Sequence, residues 1–231
     1  MRSSKWHALG NVYLLVEGAE LTPEEVGRAV GDADGVVEVV EAGPDWAEVR
    51  IWNPDGSEPE MSGNGTRIAA AWLIEQTGAR DVRIRVGPRE VAASALADGL
   101  IEQDLGAVEV GASERVEGLE LTPVSVGNPH AVVRGRPEEI TRIGPMLEAH
   151  PRFPRGTNVQ VVHVDAPGEV SARVWERGVG ETSSSGTSAV AVAAATHGDG
   201  EVVVVHFPGG DLRVRLEHGR AYLTGPAEEL E

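Results

Sequence analysis

Hydrophobic residues recur along the chain in short alternating or β-branched runs, each bounded by glycine, proline or charged residues. Such runs are typical of β-strands with one or both faces buried. They form two groups separated by a polar, glycine-containing stretch at 111–121, which we interpret as a linker. The predicted strands cover 12–16, 36–40, 47–52, 82–86 and 99–105 in the first group, and 124–126, 131–134, 158–164, 170–175, 201–207 and 212–216 in the second.

Four segments have the patterns of helices. The run Thr22-Pro23-Glu24-Glu25 is a capping box with proline at the first helical position, and 137–148 predicts a matching helix in the second half. Two further segments, 65–76 and 187–197, are apolar nearly all round and stop at Gly78 and Gly198. A helix without a polar face must be buried, so we expect each to be wrapped by the strands of its own half.

The two halves of the chain resemble each other. The features Arg50-Ile51-Trp52, Glu58 and Ser62-Gly63 reappear as Arg173-Val174-Trp175, Glu181 and Ser185-Gly186, all at one constant spacing. A constant spacing over several features indicates an internal duplication. We therefore predict two pseudo-symmetric halves, 1–114 and 115–224, followed by a tail, 225–231, that could return to the first half.

Each half places a Ser-Gly pair and then a small polar residue, Asn64 or Thr187, where its buried helix begins. The first N–H groups of a helix lack intrahelical partners and the helix dipole is positive there, so such a start can hold an anion. If the two starts converge, they could hold one carboxylate and stabilise the enolate-like charge left when its α-proton is removed. Either serine alone would be an ordinary N-cap, and the duplication favours a shared site.

Composition excludes several functional classes. Acidic residues outnumber basic ones by 37 to 20, and the formal charge of −17 repels polyanions, so we expect no nucleic-acid partner. The absence of cysteine excludes disulfides, thiolate metal sites and thiol nucleophiles, and the single lysine, Lys5, argues against a pyridoxal-phosphate enzyme. The usual nucleotide-binding and serine-hydrolase motifs are missing. With no signal-peptide pattern and no membrane-length apolar stretch, we expect a cytoplasmic protein without a membrane partner.

Several motifs in combination resemble the diaminopimelate epimerase family over essentially the whole chain. They lie at 53–67, 127–130, 150–158 and 176–182, with further similarity at 7–11 and 225–227. The resemblance implies an α/β (α+β) fold of two pseudo-symmetric domains, each a central helix wrapped by a mixed β-sheet, with a cofactor-independent two-base active site between them. In that family two thiols serve opposite faces of the α-carbon. Their positions correspond to Ser62 and Ser185, so both catalytic cysteines are replaced here.

The resemblance also implies a set of substrate contacts. N–H groups at the two helix starts would hold the reacting carboxylate, Arg177 would pair with the distal carboxylate and Glu176 with the distal ammonium group, and His130 would lie near the reacting centre. Two features depart from the family pattern: Val12 stands where aspartate is usual, and the glycine-rich segment at 30–35 is short. The implied substrate-binding residues are Asn11, Asn53, Gly63, Asn64, Gly65, Asn128, His130, Asn158, Glu176, Arg177, Gly186 and Thr187.

We expect epimerisation of LL-diaminopimelate to meso-diaminopimelate, impaired because the pKa of a serine hydroxyl is near that of water and therefore far above that of cysteine, about 8.5. No cofactor or metal is expected, the amino-acid substrate is the expected partner, and a homodimer is left open. Two alternatives remain: an amino-acid-binding protein on this fold, and a related isomerase or dehydratase with a carboxylate base such as Glu60 or Glu181. The missing thiols also fit an engineered or reconstructed member.

Overall fold

The computed structural model describes residues 2–59 and 61–230. The chain divides into two compact units, here called unit 1 (Met1–Asp104 and Thr224–Glu231) and unit 2 (Leu105–Leu223). The first boundary lies about ten residues before the position expected from the sequence, at 114/115. The difference arises because the stretch interpreted as a linker, 111–121, carries strand residues that pair with one another in unit 2.

The elements are numbered in chain order. The strands are β1 (Arg2–Ala8), β2 (Asn11–Glu17), β3 (Gly35–Ala42), β4 (Trp46–Trp52), β5 (Asp81–Val86), β6 (Arg89–Ala95), β7 (Ile101–Ala107), β8 (Glu109–Val110), β9 (Glu114–Val116), β10 (Leu119–Ser125), β11 (Pro129–Arg134), β12 (Asn158–Ala166), β13 (Glu169–Glu176), β14 (Gly180–Thr182), β15 (Val202–Phe207), β16 (Gly210–Glu217), β17 (Arg220–Gly225) and β18 (Glu228–Leu230). The helices are α1 (Pro23–Ala29), α2 (Gly63–Thr77), α3 (Ile140–Glu148) and α4 (Gly186–Thr196).

Unit 1 is a mixed sheet around helix α2. Its strands lie in the order β18-β1-β2-β3-β4-β5-β6-β7, with β2–β3 and β4–β5 parallel and the other neighbours antiparallel. Residues 63–73 of α2 are all buried, as its apolar sequence predicts. The helix ends at Gly78, whose φ of 71° is left-handed. The capping box at Thr22 is present at the start of α1.

Unit 2 repeats this arrangement. Parallel pairing of β11 with β12 is followed by antiparallel β12–β13, parallel β13–β15 and antiparallel β15–β16, which matches the β2 to β6 series of unit 1. The first eight residues of α4 are buried. The structure therefore confirms the predicted mixed α/β fold with one buried helix in each pseudo-symmetric half.

The helix predicted at 137–148 is present in two parts, a 3-10 turn at Pro137–Glu139 and then α3. Helix α3 packs closely against β13 at Gly144. A Cβ added at this glycine would come within 2.5 Å of Trp175 Cγ. The Trp175 indole N–H donates to Glu148 Oε2 at 2.6 Å. Within the described ranges, no helix is both long and apolar enough to cross a membrane.

Candidate active site

The first helix start is a tightly packed N-cap. Ser62 has an extended backbone (φ −132°, ψ 102°), and its Oγ accepts a hydrogen bond from the Gly65 N–H at 3.1 Å. A Cβ at Gly65 would lie 2.9 Å from Ile51 Cδ1 and 3.1 Å from Ser62 Oγ, so the lack of a side chain lets α2 begin close to β4. The Gly65 N–H expected to hold a substrate carboxylate is thus bonded to the Ser62 hydroxyl in this structure.

A tyrosine that the sequence analysis did not select lies beside this cap. The Oη of Tyr13 is 3.3 Å from Ser62 Oγ, and either atom could be the donor. Tyr13 is on β2, two residues after Asn11, and alternating residues of a strand share one face. Its position two residues from Asn11, a residue of the family motif, is the sequence signal that could have identified Tyr13.

A buried cation lies one turn into α2. The Arg67 side chain is 0% exposed, its Nη2 donates to Asn64 Oδ1 at 3.0 Å and its Nε donates to the Pro226 carbonyl at 2.9 Å. Among the described residues its Nη1 has no hydrogen-bond partner. Burial lowers the pKa of Arg67 to about 10, and the interaction with Tyr13 opposes this shift. The guanidinium remains charged at neutral pH, and it fixes the side-chain orientation of Asn64.

A buried glutamine makes two hydrogen bonds to the first turn of α2. Gln103 on β7 donates from Nε2 to the Gly63 carbonyl at 3.0 Å, and its Oε1 accepts from Thr66 Oγ1 at 2.7 Å. Gln103 is 0% exposed and lies in register with buried Ile101 and Leu105. The sequence signal for these hydrogen bonds is a single amide among the inward-facing apolar residues of a strand, because a buried amide needs polar partners.

Two of the expected binding asparagines lie elsewhere in unit 1. Asn11 is buried at the start of β2, where its Nδ2 donates to the Ala8 carbonyl at 3.5 Å. Asn53 follows β4 and closes a turn, with its Nδ2 donating to Ser57 Oγ at 2.9 Å and its backbone N–H donating to the Ser57 carbonyl. The Asn53 amide therefore supports the loop that leads from β4 towards Ser62.

The second helix start differs from the first. Ser185 precedes α4 with an extended backbone (φ −152°, ψ 128°) and is only 4% exposed. Its carbonyl accepts from the Ala189 N–H at 2.9 Å, but within the described part of the chain its hydroxyl makes no capping hydrogen bond. Thr187, in the first turn of α4, accepts from Asn128 Nδ2 at 3.4 Å.

A buried chain of polar groups supports the Asn128 amide. Gln160 on β12 donates from Nε2 to Ser188 Oγ at 2.9 Å and lies 3.1 Å from His130 Nδ1, and His130 Nε2 lies 2.9 Å from Asn128 Oδ1. Since Nδ1 faces an amide N–H, the assigned neutral tautomer carries its proton on Nε2 and donates it to Asn128. Desolvation lowers the pKa of His130 to about 3. The imidazole is therefore neutral and orients Asn128.

The expected distal-end residues form a second cluster in unit 2. Asn158 starts β12, donates from Nδ2 to the Pro129 carbonyl at 2.9 Å and accepts the Arg177 backbone N–H at 3.0 Å. Arg177 Nη1 donates to the Arg155 carbonyl at 3.2 Å, and Thr182 Oγ1 donates to Glu176 Oε1 at 2.7 Å. Asn158 thus anchors the turn that carries the Glu176–Arg177 pair.

The two carboxylates of the dehydratase alternative have different outcomes. Glu181 on β14 forms an ion pair with Arg173 on β13. Glu60 lies outside the described residues.

The structure gathers most of the expected residues into one cluster in unit 1 and two adjoining clusters in unit 2, and it leaves Asn11 and Asn53 outside them. In unit 1, Ser62, Gly63, Asn64 and Gly65 form the start of α2. In unit 2, the α4 start adjoins the distal-end cluster, because His130 and Asn158 are paired residues of β11 and β12. The members of the α4 cluster are Ser185, Gly186, Thr187, Asn128 and His130.

Comparisons with known proteins agree with these motifs. The family model for diaminopimelate epimerase matches residues 3–110 and 122–230. A diaminopimelate epimerase from Desulforudis audaxviator is 38% identical over 273 aligned residues, which cover 100% of this chain and 97% of that protein. One from Synechococcus elongatus is 37% identical and covers 100% and 96%.

Solved structures support the fold. A predicted epimerase from Pseudomonas aeruginosa matches 100% of this chain and 97% of its own with a TM-score of 0.78 at 19% identity. A probable proline racemase from Agrobacterium radiobacter matches 99% and 90% with a TM-score of 0.70 at 16% identity. At such identities the likeness concerns the fold, whereas the family model and the curated relatives decide the family. The chain belongs to the diaminopimelate epimerase family, whose members are isomerases of the racemase and epimerase class.

Proposed function

We propose that this protein epimerises diaminopimelate between its LL and meso forms without a cofactor, with Ser62 and Ser185 at the two proton-transfer positions. The observation that carries the proposal is the duplicated Ser-Gly start of a buried helix, at α2 and at α4, in a chain that matches the family over nearly its whole length. A reaction that inverts a carbon centre needs one proton-transfer group for each face, and the duplication supplies one per unit.

The chemistry proposed at these positions is a proton transfer in two steps. A base removes the α-proton, the bonding electron pair moves into the adjacent carboxylate, and an acid returns a proton on the other face of the carbon. The developing negative charge is stabilised by N–H groups and the dipole at a helix start. Asn64, oriented by Arg67, and Thr187, oriented by Asn128, supply further donors at the two starts.

Recognition of the distal end is assigned to Glu176 and Arg177. The guanidinium suits the distal carboxylate and the carboxylate suits the distal ammonium group, because charge-assisted hydrogen bonds favour opposite charges. The Asn158 side chain bonds the Arg177 backbone N–H, which supports a fixed position for this pair. An amino acid with two carboxylates and two ammonium groups, such as diaminopimelate, would use both charges.

The expected rate is low. The deprotonated form of an unassisted serine is disfavoured by roughly 5 to 7 pKa units relative to cysteine, or about 7 to 10 kcal/mol. This deficit exceeds the contribution of one ordinary general base. Turnover therefore depends on groups that assist the serine hydroxyls.

The test is incubation of the protein with LL- and with meso-diaminopimelate in deuterated water, followed by NMR at the α-carbons. Deuterium incorporation with inversion is the expected result. Saturable binding without exchange would overturn the proposal in favour of an amino-acid-binding protein on this fold. The observation that favours this second candidate is the Ser62–Gly65 hydrogen bond, which gives Ser62 the role of a helix cap.

A further inference from the structure

Tyr13 is one of only two tyrosines in the chain, and its position beside Ser62 is built by the sheet of unit 1. On β3 the residue paired with Tyr13 is Gly35. A Cβ at Gly35 would come within 2.6 Å of Tyr13 Cε1 and 2.7 Å of the Trp52 carbonyl oxygen. The aromatic ring therefore occupies the space that any other residue at position 35 would need.

A buried cation interacts electrostatically with Tyr13. Arg67 on α2 is fully buried, and its Nη1 has no hydrogen-bond partner in the part of the chain that the structure describes. The residues paired with Tyr13 on β1 and β3 are Trp6 and Gly35, and neither titrates. A cation in a desolvated environment stabilises a nearby anion, and Arg67 interacts electrostatically with Tyr13, so Arg67 would stabilise negative charge on the Tyr13 oxygen.

We propose that Tyr13 receives, through Ser62, the proton that leaves the α-carbon of the substrate. The phenolate Oη accepts the Ser62 hydroxyl proton while Ser62 Oγ accepts the α-proton, so the products are a neutral phenol, a neutral serine and the substrate carbanion. The Gly65 N–H that bonds Ser62 Oγ stabilises the charge passing through this oxygen. This inference rests on the proposed function and names the terminal proton acceptor on the Ser62 side.

The relay supplies a much better base than serine alone. Tyrosine has an ordinary pKa of about 10, only about 1.5 units above that of cysteine. The serine hydroxyl then only transmits a proton and never has to exist as a free alkoxide. A phenol and a serine together would thus replace the missing thiol on this side of the substrate.

The experiment compares Tyr13→Phe with Tyr222→Phe as a matched control, because each change removes one phenolic oxygen and keeps the ring. Tyr222 is on β17 in unit 2, with the Arg215 guanidinium 3.9 Å from its ring centre. The rate of α-deuterium exchange in diaminopimelate is measured first in the unaltered protein. We expect Tyr13→Phe to reduce that rate by roughly 10²-fold, the usual contribution of a general base, and Tyr222→Phe to leave it unchanged.

The pH profile separates a proton acceptor from a structural tyrosine. Exchange by the unaltered protein should rise with pH and level off once the Tyr13 phenol is ionised, and this rise should be lost in Tyr13→Phe. NMR of isotope-labelled tyrosine, assigned with the two phenylalanine variants, measures the ionisation of Tyr13 directly. It should follow the same pH dependence as the exchange rate.

A cysteine background provides the decisive control. In the Ser62→Cys variant a thiolate can act without a relay, so adding Tyr13→Phe should change exchange by less than about threefold. A large loss there, or an unchanged rate and pH profile for Tyr13→Phe in the serine background, would overturn the role of Tyr13 and leave the proposed function standing. Binding of diaminopimelate by the unaltered protein without exchange would instead overturn the proposed function and this inference with it.

Discussion

The two helix starts have the same sequence pattern but different surroundings. At the start of α2, the Ser62 hydroxyl caps the helix and contacts a phenol near a buried guanidinium. At the start of α4, the Ser185 hydroxyl makes no capping bond among the described residues, and the neighbouring polar chain runs through the neutral imidazole of His130. Duplication has preserved the backbone of the two starts, whereas the side chains around them give each a different electrostatic character.

The largest expected effect comes from placing a thiol at both helix starts. Replacing Ser62 and Ser185 together by cysteine should raise α-proton exchange by at least about 10³-fold, because the thiol pKa is several units closer to neutrality. The rate is measured by deuterium incorporation into diaminopimelate. Each single replacement is the control and should accelerate exchange more than inversion, since one face still lacks a thiol. A folded, substrate-binding double variant without any gain would show that both serines are only structural.

A second difference should appear on acidification. The folded-state pKa of His130 is depressed to about 3, so below its unfolded value of about 6.5 the unfolded chain binds a proton that the folded chain does not. Its contribution to stability is complete above about pH 6.5 and decreases by up to about 1.4 kcal/mol per pH unit as the pH falls towards 3. Urea unfolding at several pH values in this range measures how the free energy of unfolding changes with pH.

The matched variant for this acid effect is His130→Gln, which removes the titrating group. In this variant the free energy of unfolding should depend less on pH, by the amount that the uptake of about one proton on unfolding contributes. Amide hydrogen exchange should show β11 and β12 of unit 2 losing protection before the strands around α2. An unchanged pH dependence in His130→Gln would contradict the depressed pKa of the buried imidazole.

Distal recognition should depend on unit 2 alone. Arg177→Ala should weaken diaminopimelate binding by about 1.5 to 3 kcal/mol, because it removes a charge-assisted partner of the distal carboxylate. Binding of a monocarboxylic amino acid should change far less, and calorimetry measures both. Arg155→Ala is a nearby control, since it keeps the Arg155 backbone carbonyl that accepts from Arg177 Nη1. Equal losses for the two ligands would remove this assignment.

The smallest expected effect concerns the two serines as helix N-caps. Ser62→Ala should lower the free energy of unfolding by about 1 kcal/mol, because the Gly65 N–H loses its acceptor. Ser185→Ala should cost less, since its hydroxyl makes no such bond within the described residues. Denaturant unfolding of the two variants gives the difference. Similar losses would mean that the two starts are energetically alike.

The sequence predicted the strands and helices whose apolar periodicity is strong, and it missed those with small or mixed side chains. Strand β6 (sequence REVAASA) and strand β17 (RAYLTG) are examples, because neither has the run of large apolar residues that marks the other strands. The 111–121 stretch was interpreted as a linker because it is polar. Among its strand residues, in β9 and at the start of β10, only Val116 and Leu121 are buried, so burial leaves little pattern there.

For the site, local motifs predicted the residues at the helix starts but not their partners. The Tyr13–Ser62 contact joins residues 49 positions apart, and the Arg67–Pro226 bond joins residues 159 apart. Such contacts depend on which strands become neighbours, and a local pattern does not contain that information. Gln103 and Gln160 were missed for the same reason, although both lie in buried strand registers.

The strand β18 has a consequence for the order in which the chain folds during synthesis. It pairs with β1, and Pro226 just before it accepts a hydrogen bond from Arg67, so unit 1 includes residues translated after all of unit 2. Unit 2 is a single continuous segment, and all of its residues are synthesised before the last strand of unit 1. The half that begins first is therefore the half that finishes last, and its buried guanidinium gains the Pro226 carbonyl only at that final stage.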